Sequence, residues 1–572
     1  MLNLNLMDEN IWLLPEPDKR VPILASELGL SLETAQILFN RGITTKEEAQ
    51  KFLFSDLSDL NDPYQMDGME EAVSRIEKAV RDKQKILVFG DYDVDGILSV
   101  VVFMKAIESL GGCIDYFIPD RLEDGYGIKD KHMKMMLERK VKLMVSVDCG
   151  IKAVDFTEKA RAHGVDVIIT DHHQPGPDIP KAVAVLNPAL SRSSYPDKDL
   201  AGIGVIFKLI QALMERRKKG SVLSHYLKLV SIGTIADVVR LRGENRIFVK
   251  YGLEGLRDVS NMGLKNLLSI CGIECRDVTA GDVGFRIAPR LNAAGRLGRV
   301  DLSVDLFRVR DKKESEDIAL YLNKLNSLRQ KSEVDIFNQA VEKIEKNNLD
   351  KRYKMLILGS EEWHRGVIGI VASRLKDMYH RPVLLFSYKN GKAFGSGRSI
   401  KEFSLINCLR NSSHLCTSYG GHPLAVGCEI LRSHFDDFRR ETNDYADSEI
   451  NDTDLKRKIK IDAKIGFREI TDSFLEEIDL IKPYGAGNPR PVFLSEKICM
   501  ASRPQVLKGK HGKFMVKKDE RVFEAMGWGK KDWVEGVERG DRADIVYSLS
   551  HNEYLGKKRL NFVLHDIRSV KR

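Results

Sequence analysis

Short apolar runs alternate with stretches of helical periodicity between residues 86 and 186. The predicted strands are 86–89, 114–118, 143–147, 166–169 and 183–186. Helical spacing of apolar residues follows at 97–110, 131–140 and 155–163. Several strands are almost wholly apolar, as expected for strands covered on both faces. Strands that alternate with helices predict an α/β fold with a parallel sheet.

The pattern changes three more times along the chain. A charged stretch at 311–348 lacks Gly and Pro and predicts one or two long helices. A second α/β pattern follows, and short alternating strands after residue 455 predict a small β-barrel. The predicted regions are an N-terminal helical segment (1–70), a main α/β domain (71–310), connecting helices (311–350), a smaller α/β domain (351–450) and the barrel (451–572).

Acidic and histidine residues follow three of the predicted strands. The stretch "FGDYDVDGILS" places Asp91, Asp93 and Asp95 at every second position, where extended side chains point to one side. The next two strands end in Asp148 and in the sequence 171–173, "DHH". The carboxyl ends of parallel strands meet at one edge of a sheet, where such folds bind ligands. The sequence therefore brings these ligand-type side chains to one edge.

Each of these residues also has an ordinary structural interpretation. Asp95 precedes a helix and is a typical N-cap residue, and paired histidines in a loop often have no function. Asp237, a fourth candidate in the apolar stretch "SIGTIADVVRL", also fits a buried hydrogen-bonding residue. Taken together, however, these ordinary interpretations would require independent coincidences at one edge of one sheet. The joint pattern favours a metal site.

The ligand types indicate the metal and the chemistry. Carboxylates with one or two imidazoles and no thiolate suit Mn²⁺ or Mg²⁺ better than structural zinc. So many acids predict two cations, and paired cations are the usual means of hydrolysing phosphate esters. A serine-hydrolase site is less favoured, because no G-x-S-x-G turn is present.

Charge and cysteine content narrow the class of protein. The net charge of +8 comes from the region after residue 496, which holds 18 Lys/Arg against 10 Asp/Glu. A basic C-terminal barrel indicates a polyanionic partner, although such a surplus is often only a solvated surface. No apolar run reaches the roughly 20 residues of a membrane helix, no secretion signal is evident, and the scattered cysteines fit reduced thiols. We therefore expect a cytoplasmic protein without a membrane association.

Ordered motifs along nearly the whole chain resemble those of the DHH phosphoesterase superfamily. "DYDVDG", "VDCG", "DHH" and "GTIADVV" resemble its catalytic motifs. "WHRGVIGIVASRL", "GSGRS" and "GGHPLAVG" are similar to its DHH-associated substrate domain. "PYGAGNPRPVF" resembles the start of the oligonucleotide-binding (OB-fold) barrel found in single-strand-specific exonucleases of that superfamily. DHH alone is a weak motif, but the ordered set is highly specific.

The resemblance implies particular roles for named residues. It implies metal ligation by Asp91, Asp93, Asp95, Asp148, His172 and Asp237. His173 would contact phosphate or position the scissile group. The implied nucleic-acid contacts are Arg121, Arg296, Gln330, Ser396, Arg398, Gly420, Gly421 and His422, with Gly395 and Gly397 as further backbone anion donors. Surface ion pairs for the arginines and tight turns for the glycines are the alternative interpretations.

The implied function is a metal-dependent exonuclease that degrades single-stranded DNA from 5′ to 3′ into mononucleotides in recombination and repair. Two Mn²⁺ or Mg²⁺ ions are the implied cofactors. The resemblance also implies a single-strand-binding protein and a helicase as partners, and a monomeric state. Two alternatives stay open: a DHH phosphodiesterase acting on short oligonucleotides or cyclic dinucleotides, and a replication scaffold that has lost catalysis.

The aromatic residues of the basic barrel carry one further prediction. They are Phe514, Phe523, Trp528, Trp533, Tyr547 and Tyr554. Basic grooves with stacking aromatics hold single strands without reading sequence. Because a barrel also needs a core, we expect only a minority of these side chains to stack on bases.

Overall fold

The computed structural model describes residues 10–121, 124–125, 127–273, 277–554 and 557–569, with side chains for all of these except 552–554, 557 and 558. The chain begins with a short strand and three helices: β1 (Ile11–Leu13), α1 (Arg20–Leu28), α2 (Leu32–Asn40) and α3 (Lys46–Phe54). Helix α2 is capped by the side chain of Ser31, and α3 begins with a reciprocal capping box between Thr45 and Glu48. Helices are therefore present where the pattern predicts them.

The main α/β region follows the predicted alternation. Its elements are α4 (Met69–Arg81), β2 (Lys85–Gly90), α5 (Val94–Ser109), β3 (Cys113–Phe117), α6 (Lys131–Glu138), β4 (Leu143–Val147), α7 (Val154–Ala162), β5 (Asp166–Thr170), β6 (Ala184–Leu186), α8 (Gly202–Arg216) and α9 (Ser224–Ala236). The sheet order is β3-β2-β4-β5-β6, and every neighbouring pair is parallel. The predicted parallel sheet is confirmed.

Both faces of this sheet are covered by helices. Along β2, Ile86 and Val88 face the cluster that contains α5 and α8, whereas Leu87 and Phe89 face the cluster that contains α6 and α7. All four side chains are fully buried. This two-sided burial explains why the strand is a continuous apolar run rather than an alternating one.

The region between the parallel sheet and the second α/β region is helical. It contains α10 (Gly243–Gly255), α11 (Met262–Ile270), α12 (Ala280–Asp282), α13 (Ala288–Arg296), α14 (Asp301–Arg308) and α15 (Lys312–Lys346). A π-helical turn, Val283–Ile287, leads into α13. The 35 residues of α15 form one helix, capped by Asp311, where one or two were predicted. A helix of this length spans about 50 Å and connects the two α/β regions.

The second α/β region is built on a mixed sheet. Its elements are α16 (Leu349–Arg352), β7 (Leu356–Ser360), α17 (Ile368–Tyr379), β8 (Val383–Lys389), β9 (Lys392–Arg398), α18 (Leu405–Asn411), β10 (Cys416–His422), β11 (Ala425–Leu431) and α19 (Phe435–Glu449). The order is β10-β11-β9-β8-β7, with β7 and β8 parallel and the other pairs antiparallel. The glycine-rich sequence "KAFGSGR" therefore forms strand β9.

The C-terminal region is the predicted barrel. Its elements are β12 (Lys458–Lys460), β13 (Ala463–Lys464), α20 (Asp472–Leu480), β14 (Phe493–Met500), β15 (Gln505–Leu507), β16 (His511–Lys518), β17 (Arg521–Gly527), β18 (Arg542–Tyr554) and β19 (Lys557–Ser569). Strand β14 pairs with both β16 and β18, and β17 pairs with β19, which closes the sheet into a barrel.

The N-terminal helices share a core with this barrel. Ile37, Leu38 and Phe52 lie in the same buried cluster as Phe493 and Phe562 of the barrel. Strand β1 pairs in parallel with β12. The predicted region boundaries stay predictions, but the N-terminal segment packs on the barrel although more than 400 residues separate them in sequence. Among the described helices, none combines the length and apolar composition needed to cross a membrane.

Candidate functional site

The three acidic strand ends meet at the carboxyl edge of the parallel sheet. Their ligand atoms form three overlapping groups, each with all atoms within 4.8 Å of one another. The groups are Asp91, Asp93 and Asp148; Asp148, His172 and His173; and Asp95, His172 and Asp237. The structure thus brings all seven predicted catalytic-centre residues together, including Asp237 at the end of α9. Their role as ligands stays a prediction.

Four buried polar atoms in this centre make no hydrogen bond within the described part of the chain. They are Oδ1 of Asp91, Oδ1 of Asp148, Oδ2 of Asp237 and Nε2 of His172. Buried polar atoms are almost always satisfied, and the exceptions require an explanation such as a missing ion. Oxygen and imidazole donors are the ligand types that Mn²⁺ and Mg²⁺ accept. The residues present therefore fit a centre for divalent cations.

Without cations, burial and neighbouring negative charges disfavour the ionised form of these carboxylates. Burial raises the pKa of Asp91 to about 8, and the nearby charge of Asp93 adds to this shift. Burial raises the pKa of Asp95 and of Asp148 well above the usual range, and neighbouring carboxylates raise both further. Burial likewise raises the pKa of Asp237. A bound cation would remove this penalty because it stabilises the ionised form.

Asp95 has a structural role alongside its predicted one. Its Oδ2 accepts a 2.7 Å hydrogen bond from the backbone N–H of Gly202, and its Oδ1 accepts one of equal length from Ile203. These groups lie at the start of α8, where a carboxylate is favoured. Asp93, rather than Asp95, is the N-cap of α5 and accepts from the backbone of Gly96. The N-cap interpretation of Asp95 is therefore wrong.

Close backbone packing sets the position of Asp148. This residue adopts a left-handed conformation, φ 58°, immediately after β4. A Cβ at Gly202 would lie 2.6 Å from Oδ1 of Asp148. Glycine at position 202 is thus what allows α8 to approach the carboxylate, and the sequence gives no direct sign of this contact.

Asp171 orients the histidines of the "DHH" sequence. Its Oδ1 accepts hydrogen bonds from the backbone N–H groups of His172 and His173 and lies 2.7 Å from Nδ1 of His173. Burial lowers the pKa of His173, but the bond to Asp171 and the surrounding carboxylates outweigh it, so that pKa lies above the ordinary value. Asp171 was not predicted as a site residue, although its position at the end of β5 was a usable signal.

A group of four arginines lies beside the acidic centre. Burial and the charges of Arg121, Arg329 and Arg398 together lower the pKa of Arg296 to about 9. Burial, followed by Arg121, also lowers the pKa of Arg398. The guanidinium of Arg121 lies over the ring of Tyr92, 5.0 Å from its centroid. A bound anion would stabilise such a group of buried cations.

These arginines come from four separate parts of the chain. Arg296 ends α13 and donates to the backbone oxygen of Gly366 at 2.9 Å, which joins the main α/β region to the second one. Arg329, on α15, was not predicted; nothing distinguishes it in sequence from the other charged residues of that helix. Gln330, its predicted neighbour, lies on α15 with an exposed side chain. The structure does not bring Gln330 into the arginine group.

The face of the second sheet that is turned toward α17 carries several small residues. Opposite residues on paired strands point to the same side, so Ser396, Gly427 and Gly420 form one row and Arg398, Ala425 and His422 form the next. A Cβ on Gly420 would meet nothing within 4 Å. Ser396 and Arg398 lie against the first turn of α17, where a Cβ on Gly369 would be 2.7 Å from Oγ of Ser396 and 3.4 Å from an Arg398 nitrogen.

Two predicted backbone donors, Gly395 and Gly397, have packing roles instead, whereas the predicted role of Gly421 stays a prediction. A Cβ on Gly395 would lie 2.5 Å from Sγ of Cys428, and one on Gly397 would lie 2.9 Å from Val426. Both glycines pair with strands on each side, so the anion-cradle interpretation is wrong for them. Gly421 has φ 135°, and a Cβ there would lie 2.3 Å from the oxygen of Ala425. Gly421 therefore allows the close approach of the two strands in the β10–β11 hairpin.

Most of the described barrel aromatics lie in or against the barrel core, and stacking of the others on bases stays a prediction. Phe514 and Tyr547 are fully buried, and Phe523 and Trp533 pack against the same core. Trp528 is 57% exposed, and its ring contacts that of His511 edge-on at 4.8 Å. Lys510 and Lys530, in the turns adjoining this pair, are also exposed. The side chain of Tyr554 lies outside the described residues.

Comparison with known proteins places the fold and the site in one class. Three family models match this chain: "DHH family, N-terminal domain" at residues 85–234, "DHHA1 domain" at 352–448 and "RecJ OB domain" at 461–566. Apart from Asp237, the residues of the acidic centre lie in the first matched region, and Ser396 and Arg398 lie in the second. The parallel sheet with its acidic carboxyl edge and the attached DHHA1 domain define a protein of the DHH family.

More similar relatives identify the family within that class. The chain is 35% identical over 559 residues to the single-stranded-DNA-specific exonuclease RecJ of Bacillus subtilis, covering 97% of this chain and 70% of the relative. It is 32% identical to the Escherichia coli protein of the same name, covering 92% and 94%. The chain belongs to the RecJ family.

Solved structures agree with this assignment. The crystal structure of RecJ from Thermus thermophilus in complex with Mn²⁺ matches with a TM-score of 0.84 and 30% identity, covering 99% of this chain and 80% of that one. The same protein in complex with Mg²⁺ matches with a TM-score of 0.79 and 29% identity, covering 99% and 79%. Both neighbours hold one of the two cations predicted from the ligand types.

Proposed function

We propose that this protein is a metal-dependent exonuclease that degrades single-stranded DNA from the 5′ end into mononucleotides. The observation that carries the proposal is the position of the acidic centre directly beside the arginine group. Tyr92, between Asp91 and Asp93, lies under the guanidinium of Arg121. Tyr92 is also in backbone contact with α13, which ends in Arg296. A strand whose terminal phosphate lay among the arginines would bring its next phosphodiester toward the acids.

Two divalent cations, Mn²⁺ or Mg²⁺, are the proposed cofactors. Asp91, Asp93, Asp95, Asp148, His172 and Asp237 would hold them, because the three ligand groups overlap at Asp148 and His172. When bound, such cations supply an activated water and stabilise the negative charge that develops on phosphate. His173, held by Asp171 with a raised pKa, is the residue proposed to donate a hydrogen bond to a phosphate oxygen.

The proposed 5′-to-3′ direction of digestion depends on a phosphate pocket at the first turn of α17. Arg398 and Ser396 lie at the first turn of that helix, and Arg296 and Arg121 approach from the main α/β region. Arginine forks and a helix N-terminus both favour phosphate, and a terminal phosphate carries more charge than an internal one. A strand anchored there by its 5′-phosphate would be shortened from that end.

The barrel and its basic turns favour a polymeric substrate over a dinucleotide. Exposed Trp528, Lys510 and Lys530 supply a stacking surface and positive charge well suited to a single strand. A role in recombination and repair, a single-strand-binding protein and a helicase as partners, a monomeric state and a cytoplasmic location belong to the same proposal. Size-exclusion chromatography with light scattering tests the monomer directly.

Digestion of end-labelled oligonucleotides tests the function. Single strands labelled at the 5′ or the 3′ end, and matched duplexes, are incubated with Mn²⁺, Mg²⁺ or EDTA. The proposal expects labelled mononucleotide at once from the 5′ label, a shrinking ladder from the 3′ label, slow loss of duplex and no reaction in EDTA. Mononucleotide first from the 3′ label would overturn the polarity. Hydrolysis confined to dinucleotides would favour the short-oligonucleotide phosphodiesterase.

A further inference from the structure

Two apolar side chains beside the acidic centre are unusually exposed. Phe285 is 86% exposed and Val238 is 70% exposed, the highest values among the described large apolar residues. Single exposed apolar residues are ordinary on a protein surface. These two, however, lie on segments in mutual contact, since the π-helical turn that carries Phe285 packs against α9, which ends at the metal-ligand candidate Asp237.

A cavity of about 220 Å³ lies where these segments meet. Its lining includes Ala236 and Val238 from the end of α9 and the residue after next, and Gly284 and Pro289 from the π-helical turn and the start of α13. Arg296 and Arg329 of the arginine group also belong to the lining. The cavity therefore combines apolar side chains with the positive charge of two arginines.

Both exposed apolar residues lie in unusual backbone conformations. Val238 has φ 63°, a left-handed conformation that β-branched residues rarely adopt. Phe285 lies in a π-helical turn, a rare element found often at functional sites. Gly284, just before it, has open space where a side chain would be. An apolar ring exposed in this way has no internal packing that accounts for it.

We propose that Phe285 stacks on a base of the bound single strand and thereby positions the strand at the acidic centre. This inference rests on the exonuclease function proposed above. Aromatic faces stack on any base without reading sequence, and the adjoining Arg296 and Arg329 match the strand's phosphates in charge. A base in a duplex is already stacked on both faces, so Phe285 also contributes to the preference for single strands.

Substitution of Phe285 separates stacking from structural roles. Phe285→Ala lowers kcat/KM on a 5′-phosphorylated oligothymidylate by about fivefold or more, whereas Phe285→Trp retains most of it. Phe54→Ala is the matched control, because Phe54 is a 58% exposed phenylalanine on α3. Equal kcat/KM for Phe285→Ala and wild type, or equal losses for the Ala and Trp variants, overturns the stacking role.

A scan with abasic substrates locates the contact. A single abasic nucleotide is placed at each of the first six positions from the 5′ end. In the wild type, one position lowers kcat/KM, and in Phe285→Ala the same substitution causes no further loss. Additive losses at every position overturn the inference while leaving the exonuclease function intact. If the wild type itself hydrolyses no single strand in Mn²⁺, the proposed function fails first.

A binding measurement gives a readout independent of turnover. With EDTA present, 2-aminopurine at the position found by the scan is quenched on binding to wild type and remains bright with Phe285→Ala at saturating protein. Quenching of equal size in both proteins shows that another group stacks on this base and overturns the assignment of Phe285.

Discussion

Oδ1 of Asp171 lies 2.7 Å from Nδ1 of His173, and the Asp171 side chain is fully buried. The same carboxylate accepts backbone hydrogen bonds from Ile151, His172 and His173. The first residue of the "DHH" sequence is therefore the buried anchor of the other two. Asp171 thereby holds the ring of His173 beside the acidic centre.

Asp171→Asn is expected to lower single-strand hydrolysis by about 10- to 100-fold, the usual effect of losing a group that orients a metal-site residue. The amide loses the charge that holds His173, but it retains the size of the carboxylate. Steady-state turnover across a Mn²⁺ titration measures the effect, and circular dichroism checks the fold. The control is Asp155→Asn, an exposed acid in the first turn of α7. Unchanged turnover in Asp171→Asn would show that His173 needs no anchor.

Asp148→Asn is expected to reduce hydrolysis by more than about 100-fold, because Asp148 belongs to two of the three ligand groups. Its folded-state pKa lies well above the usual value, so the ionised form is disfavoured in the metal-free protein at neutral pH. The variant should therefore unfold at a higher temperature than wild type in EDTA, and Mn²⁺ should stabilise only the wild type. Activity above about a tenth of wild type, a loss under about 1.4 kcal/mol, would contradict the two-cation assignment.

The acidic residues at the strand ends could be predicted because two local signals occur together. The apolar run 86–89 predicts a buried strand, and Asp91 and Asp93 follow it in the next few positions. Since the carboxyl ends of parallel strands share an edge, the meeting of these acids with Asp148 and His172 follows from the alternating pattern alone. The structure confirms the sheet that brings them together.

The arginine group and the packing of the N-terminal helices on the barrel depend on contacts between segments that are distant in sequence. Arg329 enters the arginine group only because α15 passes beside α13, and the sequence of a charged helix does not say which face is turned inward. Strand β1 pairs with β12, and Trp12 donates to Asp566, 554 residues away. Hydrophobic periodicity records burial but not the partner, so the shared core of the N-terminal helices and the barrel could not be predicted.

Arg398→Ala is expected to impair hydrolysis of 5′-phosphorylated strands about 10- to 100-fold more than that of 5′-hydroxyl strands, because a charge-assisted hydrogen bond contributes about 1.5–3 kcal/mol. Turnover of the two substrates, differing only in the terminal phosphate, gives the ratio. Arg410→Ala, on α18, is the control for loss of an exposed arginine. Equal losses on both substrates would make Arg398 a general contact to the strand backbone.

The arginine group should be stabilised by an anion. Burial and mutual repulsion lower the pKa of Arg296, which means that its charge destabilises the folded state while no anion is present. Inorganic pyrophosphate in EDTA should raise the unfolding temperature of wild type, and this gain should be smaller in Arg296→Gln. Thermal melts at constant ionic strength measure both. An equal gain in the two proteins would show that the anion binds elsewhere.

Deleting the barrel is a poor test of its function, because Ile37, Leu38 and Phe52 of the N-terminal helices lie in its core and would be exposed. Point variants at the barrel surface avoid this. Trp528→Ala should weaken binding of a long oligonucleotide by about 1–3 kcal/mol through lost stacking. The slope of log affinity against log salt should not change, since no charge is removed.

The double variant Lys510→Gln, Lys530→Gln should change that slope instead. Each neutralised phosphate contributes about −0.7 to the slope for single strands, so the loss of two contacts should make it shallower by about 1.4. Binding is measured by fluorescence anisotropy in EDTA from low to moderate salt, with Lys346→Gln at the end of α15 as the exposed-lysine control. Hydrolysis of a trinucleotide should be unaffected, because the acidic centre lies in the main α/β region and not in the barrel. If the slopes of wild type, control and double variant coincide, these lysines make no phosphate contact, and the basic surplus of the barrel is a solvated surface.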